Sequence, residues 1–151
     1  RATALAARLD GPGLRVRATN DLAAAVAGAD VVSVATMSRE PLVRGEWLRP
    51  GAHLDLVGAY SPAMREADDA ALARATIHVD TRAGALTEAG DIVQAIAAGA
   101  IAECDIAGDL ADLCRGIAPG RRTAEEITLF KSVGTAIEDL AAAILVHERL
   151  R

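Results

Sequence analysis

The chain has 151 residues, 52% of them hydrophobic but only 2% aromatic, and a formal net charge of -5. That length holds one domain with a sizeable core, and a core so poor in aromatics must be built from Ala, Val, Leu and Ile, a mixture suited to helices packed on a parallel sheet. The acidic balance, without a basic run or an interleaved aromatic platform, argues against nucleic acid as the main partner, and no apolar run approaches the roughly 20 residues that span a bilayer.

In chain order, residues 1–10 (RATALAARLD) predict an Ala- and Leu-rich helix with no cap, methionine or turn ahead of it, so further residues are expected upstream. Gly11, Pro12 and Gly13 stop that helix, and residues 14–18 (LRVRA) alternate as a short edge strand. Thr19, Asn20 and Asp21 supply N-cap chemistry for a helix ending near Gly28, after which VVSVAT, residues 31–36, has the pattern of a buried strand. Residues 41–48 read as an irregular or short helical crossover, Pro50-Gly51 as a turn, and residues 53–57 as a second apolar strand ending at Gly58. A short helix at 68–74 leads into a third strand at 76–80. Strands alternating with helices imply a doubly wound α/β layout, with these three strands parallel and adjacent.

After Asp80 the pattern becomes helical, at 82–89, 91–98 and 108–116. Thr123 and Glu126 have capping-box spacing, and apolar residues recur at Ile127, Phe130, Val133, Ile137, Leu140, Ala141, Ile144 and Leu145. That period predicts one long helix over 124–150, about 40 Å at 1.5 Å per residue, which is longer than a small sheet can cover. The expected organisation is a partial domain at 1–122 and a C-terminal helix at 123–151.

Ligands of doubly wound sheets sit beyond the carboxyl ends of the strands. Thr36 and Ser38 follow the first strand, with hydroxyls able to bond a ribose or an amide, although a capped loop explains them equally well. Gly58, Ala59 and Tyr60 follow the second, where two small residues admit a flat ring and a phenol points into the same region; a glycine turn with a packed tyrosine is the plain alternative. Lys131, Ser132, Gly134 and Thr135 form a polar stripe on the predicted last helix, which composition alone reads as a solvated face. His53, His78 and His147 show no metal-ligand spacing, so no metal site is expected. Cys104 and Cys114 fit neither a zinc site nor a disulfide scaffold and read as buried or half-buried thiols. Asp91 reads as a helix N-cap. With no signal pattern at the N-terminus, the expected compartment is the cytoplasm.

Taken in order, ADVVSVATMSREPLVRGEWLRPGAHLDLVGAYSPAMREAD, TEAGD, GDLADLCRG and PGRRTAEEITLFKSVGTAIEDLAAA resemble the ornithine cyclodeaminase/μ-crystallin family over nearly the whole chain. The resemblance implies the nicotinamide end of a Rossmann-type sheet, present in part, whose last helix packs on an N-terminal substrate and dimerisation domain in a homodimer. It implies NAD or NADP as cofactor, with Thr36 and Ser38 lining its cleft, Gly58 and Ala59 near the nicotinamide, and Ser132 contacting it from the final segment. Lys131 and Gly134 share that motif without an assigned role.

In the family pattern the Gly-rich phosphate loop and the Lys and Arg residues that hold the substrate carboxylate lie ahead of Arg1. The chain by itself is therefore expected neither to bind dinucleotide tightly nor to turn over. Ornithine cyclodeaminases place an aspartate acid/base and then a lysine where this chain has Tyr60 and Met64. The segment is closer to the branch of cyclic imino acid reductases. The implied activity is NAD(P)H-dependent reduction of a cyclic ketimine of the pyrroline- or piperideine-2-carboxylate type, with Tyr60 as the candidate catalytic group. Ornithine cyclodeamination, amino-acid dehydrogenation and non-catalytic binding of a dinucleotide and a small ligand are the alternatives.

Overall fold

A computed structural model describes residues 1–150. Its centre is a five-stranded parallel sheet made of β1 (Val31–Val34), β2 (His53–Leu56), β3 (Thr76–Val79), β4 (Ile106–Asp109) and β5 (Thr128–Lys131). The strands lie in the order β1-β2-β5-β3-β4, and every neighbouring pair is parallel. The helices are α1 (Ala2–Leu9), α2 (Leu22–Ala27), α3 (Asp69–Ala73), α4 (Arg82–Thr87), α5 (Gly90–Ala97), α6 (Leu110–Cys114) and α7 (Ala136–Arg149).

Because side chains alternate across a strand, one sheet face carries Leu54, Leu56, Ile77, Val79 and Leu129, all essentially removed from solvent. They pack with Ala71 and Leu72 of α3, Ala85 of α4, and Ile92 and Ala95 of α5. The small alanines let the helices approach closely, which is how a core of this composition fills. On the opposite face of β2, His53 and Asp55 are only half-buried. No helix is long and apolar enough to cross a membrane among the described residues.

The three strands expected from the sequence are present and parallel, but β2 and β3 are not neighbours. Residues 128–131, expected inside a long helix, form β5 between them. Thr128 N donates to Ala52 O (3.1 Å) and Ser132 N to Leu56 O (3.1 Å) on one side, while Thr76 N donates to Ile127 O (2.9 Å) and Asp80 N to Lys131 O (3.1 Å) on the other. Over five residues an apolar run fits a helical or a strand period equally well, and the slot between two strands decides. Only α7 remains helical, 14 residues or about 21 Å long.

Glu126 accordingly caps no helix. It accepts from Arg122 N and from Thr76 Oγ1, tying the entry of β5 to β3. Residues 14–18 form no strand; the segment carries an isolated Gly11–Leu14 bridge and a bond from Val16 N to Asp10 Oδ1. No strand lies beside it, and an unpaired strand is not stable in water. Residues 108–116, expected to be helical throughout, begin with the end of β4 and become helical only at α6, where Asp109 and Asp112 form a reciprocal capping box. Cys104 and Cys114 are exposed rather than buried, since they sit on a short 3-10 turn and at the end of α6.

Candidate functional site

All five strands point the same way, so their carboxyl ends share one edge, and three neighbours, β1, β2 and β5, bring the candidate residues together there. Thr36 and Ser38 follow β1 and are half-buried. Gly58 and Ala59 follow β2 and are buried, whereas Tyr60 is 48% exposed. Ser132 is half-buried and immediately follows β5, a strand rather than the helix expected.

The loop after β1 is held by Glu66. One carboxylate oxygen of this fully buried residue accepts from Thr36 N (2.5 Å) and Thr36 Oγ1 (2.8 Å). Thr36 Oγ1 in turn accepts from Ser38 N (3.3 Å), and Ser38 Oγ donates to Glu40 O (2.7 Å).

The turn after β2 is crowded below and strained above. A Cβ on Gly58 would lie 2.1 Å from Thr36 O and 2.3 Å from Glu66 Oε1, so only glycine fits. Ala59 has φ +48°, a left-handed conformation that non-glycine residues adopt at a cost. Its carbonyl accepts from Gly90 N (2.9 Å). Gly90 is likewise confined, since a Cβ there would meet Met64 O at 2.0 Å.

Beneath this turn lie buried charges whose places differ from those expected from the sequence. Lys131, expected on a polar helix face, is fully buried at the end of β5, and its ammonium donates to Ser132 O (3.0 Å), Leu56 O (3.3 Å) and Gly58 O. Asp91, expected as an N-cap, stands inside the first turn of α5, whose N-cap is Ala89. It too is fully buried, and its Oδ1 accepts from Glu66 N (2.8 Å) and Ala67 N (2.9 Å), while Oδ2 lies 3.9 Å from Lys131 Nζ. Burial pushes the Asp91 carboxyl above its ordinary range, and burial pulls the Lys131 ammonium below its own, opposed by the carboxylates of Asp91, Glu66, Asp80 and Asp55.

A third buried carboxylate, Asp80 at the end of β3, accepts from Val133 N (2.7 Å) and Gly134 N (2.8 Å) through Oδ2 and from Thr81 N (2.6 Å) through Oδ1. It fixes the segment after Ser132. The signal for these residues lay in the strand pattern: had residues 127–131 been read with period two, Lys131 would have fallen on the buried face with Leu129.

This edge suits a dinucleotide's nicotinamide end. Thr135 Oγ1 is buried without a hydrogen-bond partner, a Cβ on Gly134 would meet only open space, and the Gly58-Ala59 turn presents backbone without bulk. Among the described residues no group of three or more His, Cys, Asp or Glu side chains is placed to hold a metal ion.

Delta(1)-pyrroline-2-carboxylate reductase of Paracoccus denitrificans is 49% identical over 135 residues, covering 89% of this chain and 43% of that protein. Ketimine reductase mu-crystallin of Mus musculus is 41% identical over 133 residues, covering 88% of this chain and 40% of that protein. The solved structure of Delta(1)-pyrroline-2-carboxylate reductase from Thermococcus litoralis, in complex with NADH and L-proline, superposes with a TM-score of 0.87 at 39% identity, covering 90% of this chain and 42% of that one. The chain thus spans about two fifths of the length of these relatives. The family model for the ornithine cyclodeaminase/mu-crystallin family matches residues 1–151. With the parallel sheet, the strand-end loops and the relatives in agreement, the chain belongs to the ornithine cyclodeaminase/mu-crystallin family.

Proposed function

We propose that the intact protein reduces a cyclic ketimine amino acid of the pyrroline- or piperideine-2-carboxylate type, using NADH or NADPH. One observation carries the choice of reduction over deaminating cyclisation. The three buried carboxylates under the cleft, Glu66, Asp80 and Asp91, are each committed to backbone amides, and the side chain that leaves the turn toward solvent is the phenol of Tyr60. Expelling ammonia and closing a ring need a group that exchanges protons near neutral pH, and a phenol with a reference pKa of about 10 matches that task poorly.

Imine reduction asks less of the protein. A cyclic ketimine can bind already protonated, so the site has mainly to orient its C=N carbon and stabilise charge. A nicotinamide bound at this edge would supply the hydride. Ser132 would hold it through its hydroxyl, Thr36 and Ser38, whose hydroxyl protons go to Glu66 and to Glu40 O, would line its cleft as a fixed wall, the Gly58-Ala59 turn would give it a flat seat, and Tyr60 would donate to the substrate from the open side. The names of the Paracoccus, mouse and Thermococcus relatives support the same chemistry.

The Gly-rich phosphate loop and the substrate-carboxylate cations belong, on this reading, to parts of the intact protein outside this chain. One edge of β1 is unpaired in the sheet, as an additional strand carrying such a loop would require. The apolar residues Ile137, Leu140, Ile144 and Leu145 of α7 are 49–72% exposed, a face suited to a substrate and dimerisation domain of a homodimer. The test is a steady-state assay of the intact protein with the cyclic imine and with ornithine. Oxidation of the reduced cofactor by the imine is expected, and ammonia release from ornithine at a comparable rate would reject the reading.

A further inference from the structure

Lys131 has three N–H donors, and all three go to backbone carbonyls at the ends of two strands: Leu56 O and Gly58 O after β2, and Ser132 O after β5. A neutral apolar side chain would fill the same volume without the penalty of taking an ammonium out of water. What it could not do is pull these three carbonyls to one point.

The consequence falls on the strained turn. Gly58 O is held by Lys131 and Ala59 O by Gly90 N, so both carbonyls of the turn are fixed from below. Ala59 keeps φ +48° because its surroundings over-determine it.

The lysine is itself held. Asp91 faces it at 3.9 Å and pins the amides of Glu66 and Ala67, and Glu66 reaches across to Thr36 N and Oγ1. Oε2 of Glu66 and Oδ2 of Asp91 have no hydrogen-bond partner and are left to the field of the buried cation. Three of the candidate cofactor contacts, Thr36, Gly58 and Ser132, are therefore bonded directly to Glu66 or Lys131, and Asp91 joins the two.

We propose that Lys131, braced by Asp91 and Glu66, is a positioning residue that sets the Gly58-Ala59 turn and the Ser132 loop against the nicotinamide, and so governs hydride transfer rather than cofactor affinity. The inference rests on the reductase reading of this site. A dinucleotide's pyrophosphate is held at the Gly-rich turn and helix N-terminus of such folds, away from the Gly58-Ala59 turn, so that hold does not depend on Lys131. A shift of the turn by about 1 Å is enough to lower hydride transfer on the order of 100-fold.

The experiment uses the intact protein with whichever reduced dinucleotide it accepts and Δ1-pyrroline-2-carboxylate. Lys131→Met should lower kcat by roughly 30- to 100-fold, with the dissociation constant of the dinucleotide, read by titrating its fluorescence, little changed. The primary isotope effect from 4-deuterated cofactor should rise as hydride transfer becomes limiting. Lys131→Met/Asp91→Asn removes the cation and one facing carboxylate together, so that less uncompensated charge remains if the single variant folds poorly. It should show the same split between kcat and affinity.

A folded variant with wild-type kcat and isotope effect overturns the proposal, and so does failure of both variants to fold, which would make the lysine structural alone. An intact wild-type protein that reduces no cyclic imine overturns the parent reading instead.

Discussion

The ammonium of Lys131 and the carboxylate of Asp91 lie 3.9 Å apart with both side chains wholly out of solvent. A buried pair of this kind is costly to break from one side, because the remaining charge is stranded. Lys131→Met alone should destabilise the intact protein by about 3–5 kcal/mol, and adding Asp91→Asn should recover part of that loss. Chemical denaturation of both single variants and the double variant checks this, and strictly additive losses would show that the two groups do not interact.

Gly58 leaves no space for a methyl group, since its Cβ would lie 2.1 Å from a backbone oxygen and 2.3 Å from Glu66. Gly58→Ala is expected to displace Thr36 and Glu66 together, at a cost of about 1–3 kcal/mol, and to reduce turnover sharply. Gly134→Ala provides the contrast: a Cβ there meets nothing within 4 Å, though its φ of +85° still makes the change mildly unfavourable. Thermal melting and steady-state assays of the two variants should rank Gly58→Ala as the more damaging.

Glu126 accepts bonds from Arg122 N, Thr76 Oγ1 and the Arg122 guanidinium, which hold its carboxyl down from 4.5 to about 2. A carboxyl depressed in the folded state stabilises that state above its unfolded pKa, and the contribution disappears as pH falls through the folded value. The stability gap between wild type and Glu126→Gln should thus be full at pH 6, shrink from about pH 4.5 downward and close near pH 2. Denaturation curves across that range test it, and a gap independent of pH would show that charge plays no part.

The exposed apolar face of α7 should be covered in the intact protein. If this face forms the proposed interface, Leu140→Asp with Ile144→Asp should lower the mass of the intact protein or cause aggregation, as measured by light scattering after gel filtration. Retention of the wild-type mass and stability would mean that this face is not an interface.

The fold was legible where pattern and environment agree. Residues 31–36, 53–57 and 76–80 carry apolar runs bounded by turn residues, and each contains a strand of the sheet. Phe130, by contrast, lies in phase with Ile127 and Val133 on a helical wheel, and the sequence does not reveal that β2 and β3 leave a slot for Thr128–Lys131. That error moved Lys131 from the sheet to a solvated stripe and hid its partnership with Asp91. Thr36, Gly58 and Ser132 stood out as candidates because they follow strand ends or belong to a recognisable motif. Glu66 and Asp91 could not, because their roles depend on contacts 25 to 30 residues away in the chain.

Tyr60, at this turn, is 48% exposed, and its proposed role is to donate to the substrate. Tyr60→Phe should lower imine reduction by roughly tenfold or more if the phenol donates to the substrate. Unchanged turnover would reduce the ring to a packing wall.

The most direct measurement of the central claim is a parallel assay of the intact, unmodified protein with Δ1-pyrroline-2-carboxylate plus reduced dinucleotide and with L-ornithine plus oxidised dinucleotide. Stoichiometric conversion of the imine to its cyclic amino acid, with ammonia release from ornithine lower by on the order of 100-fold or more, is the predicted result. Ammonia release at a rate matching imine reduction would contradict it.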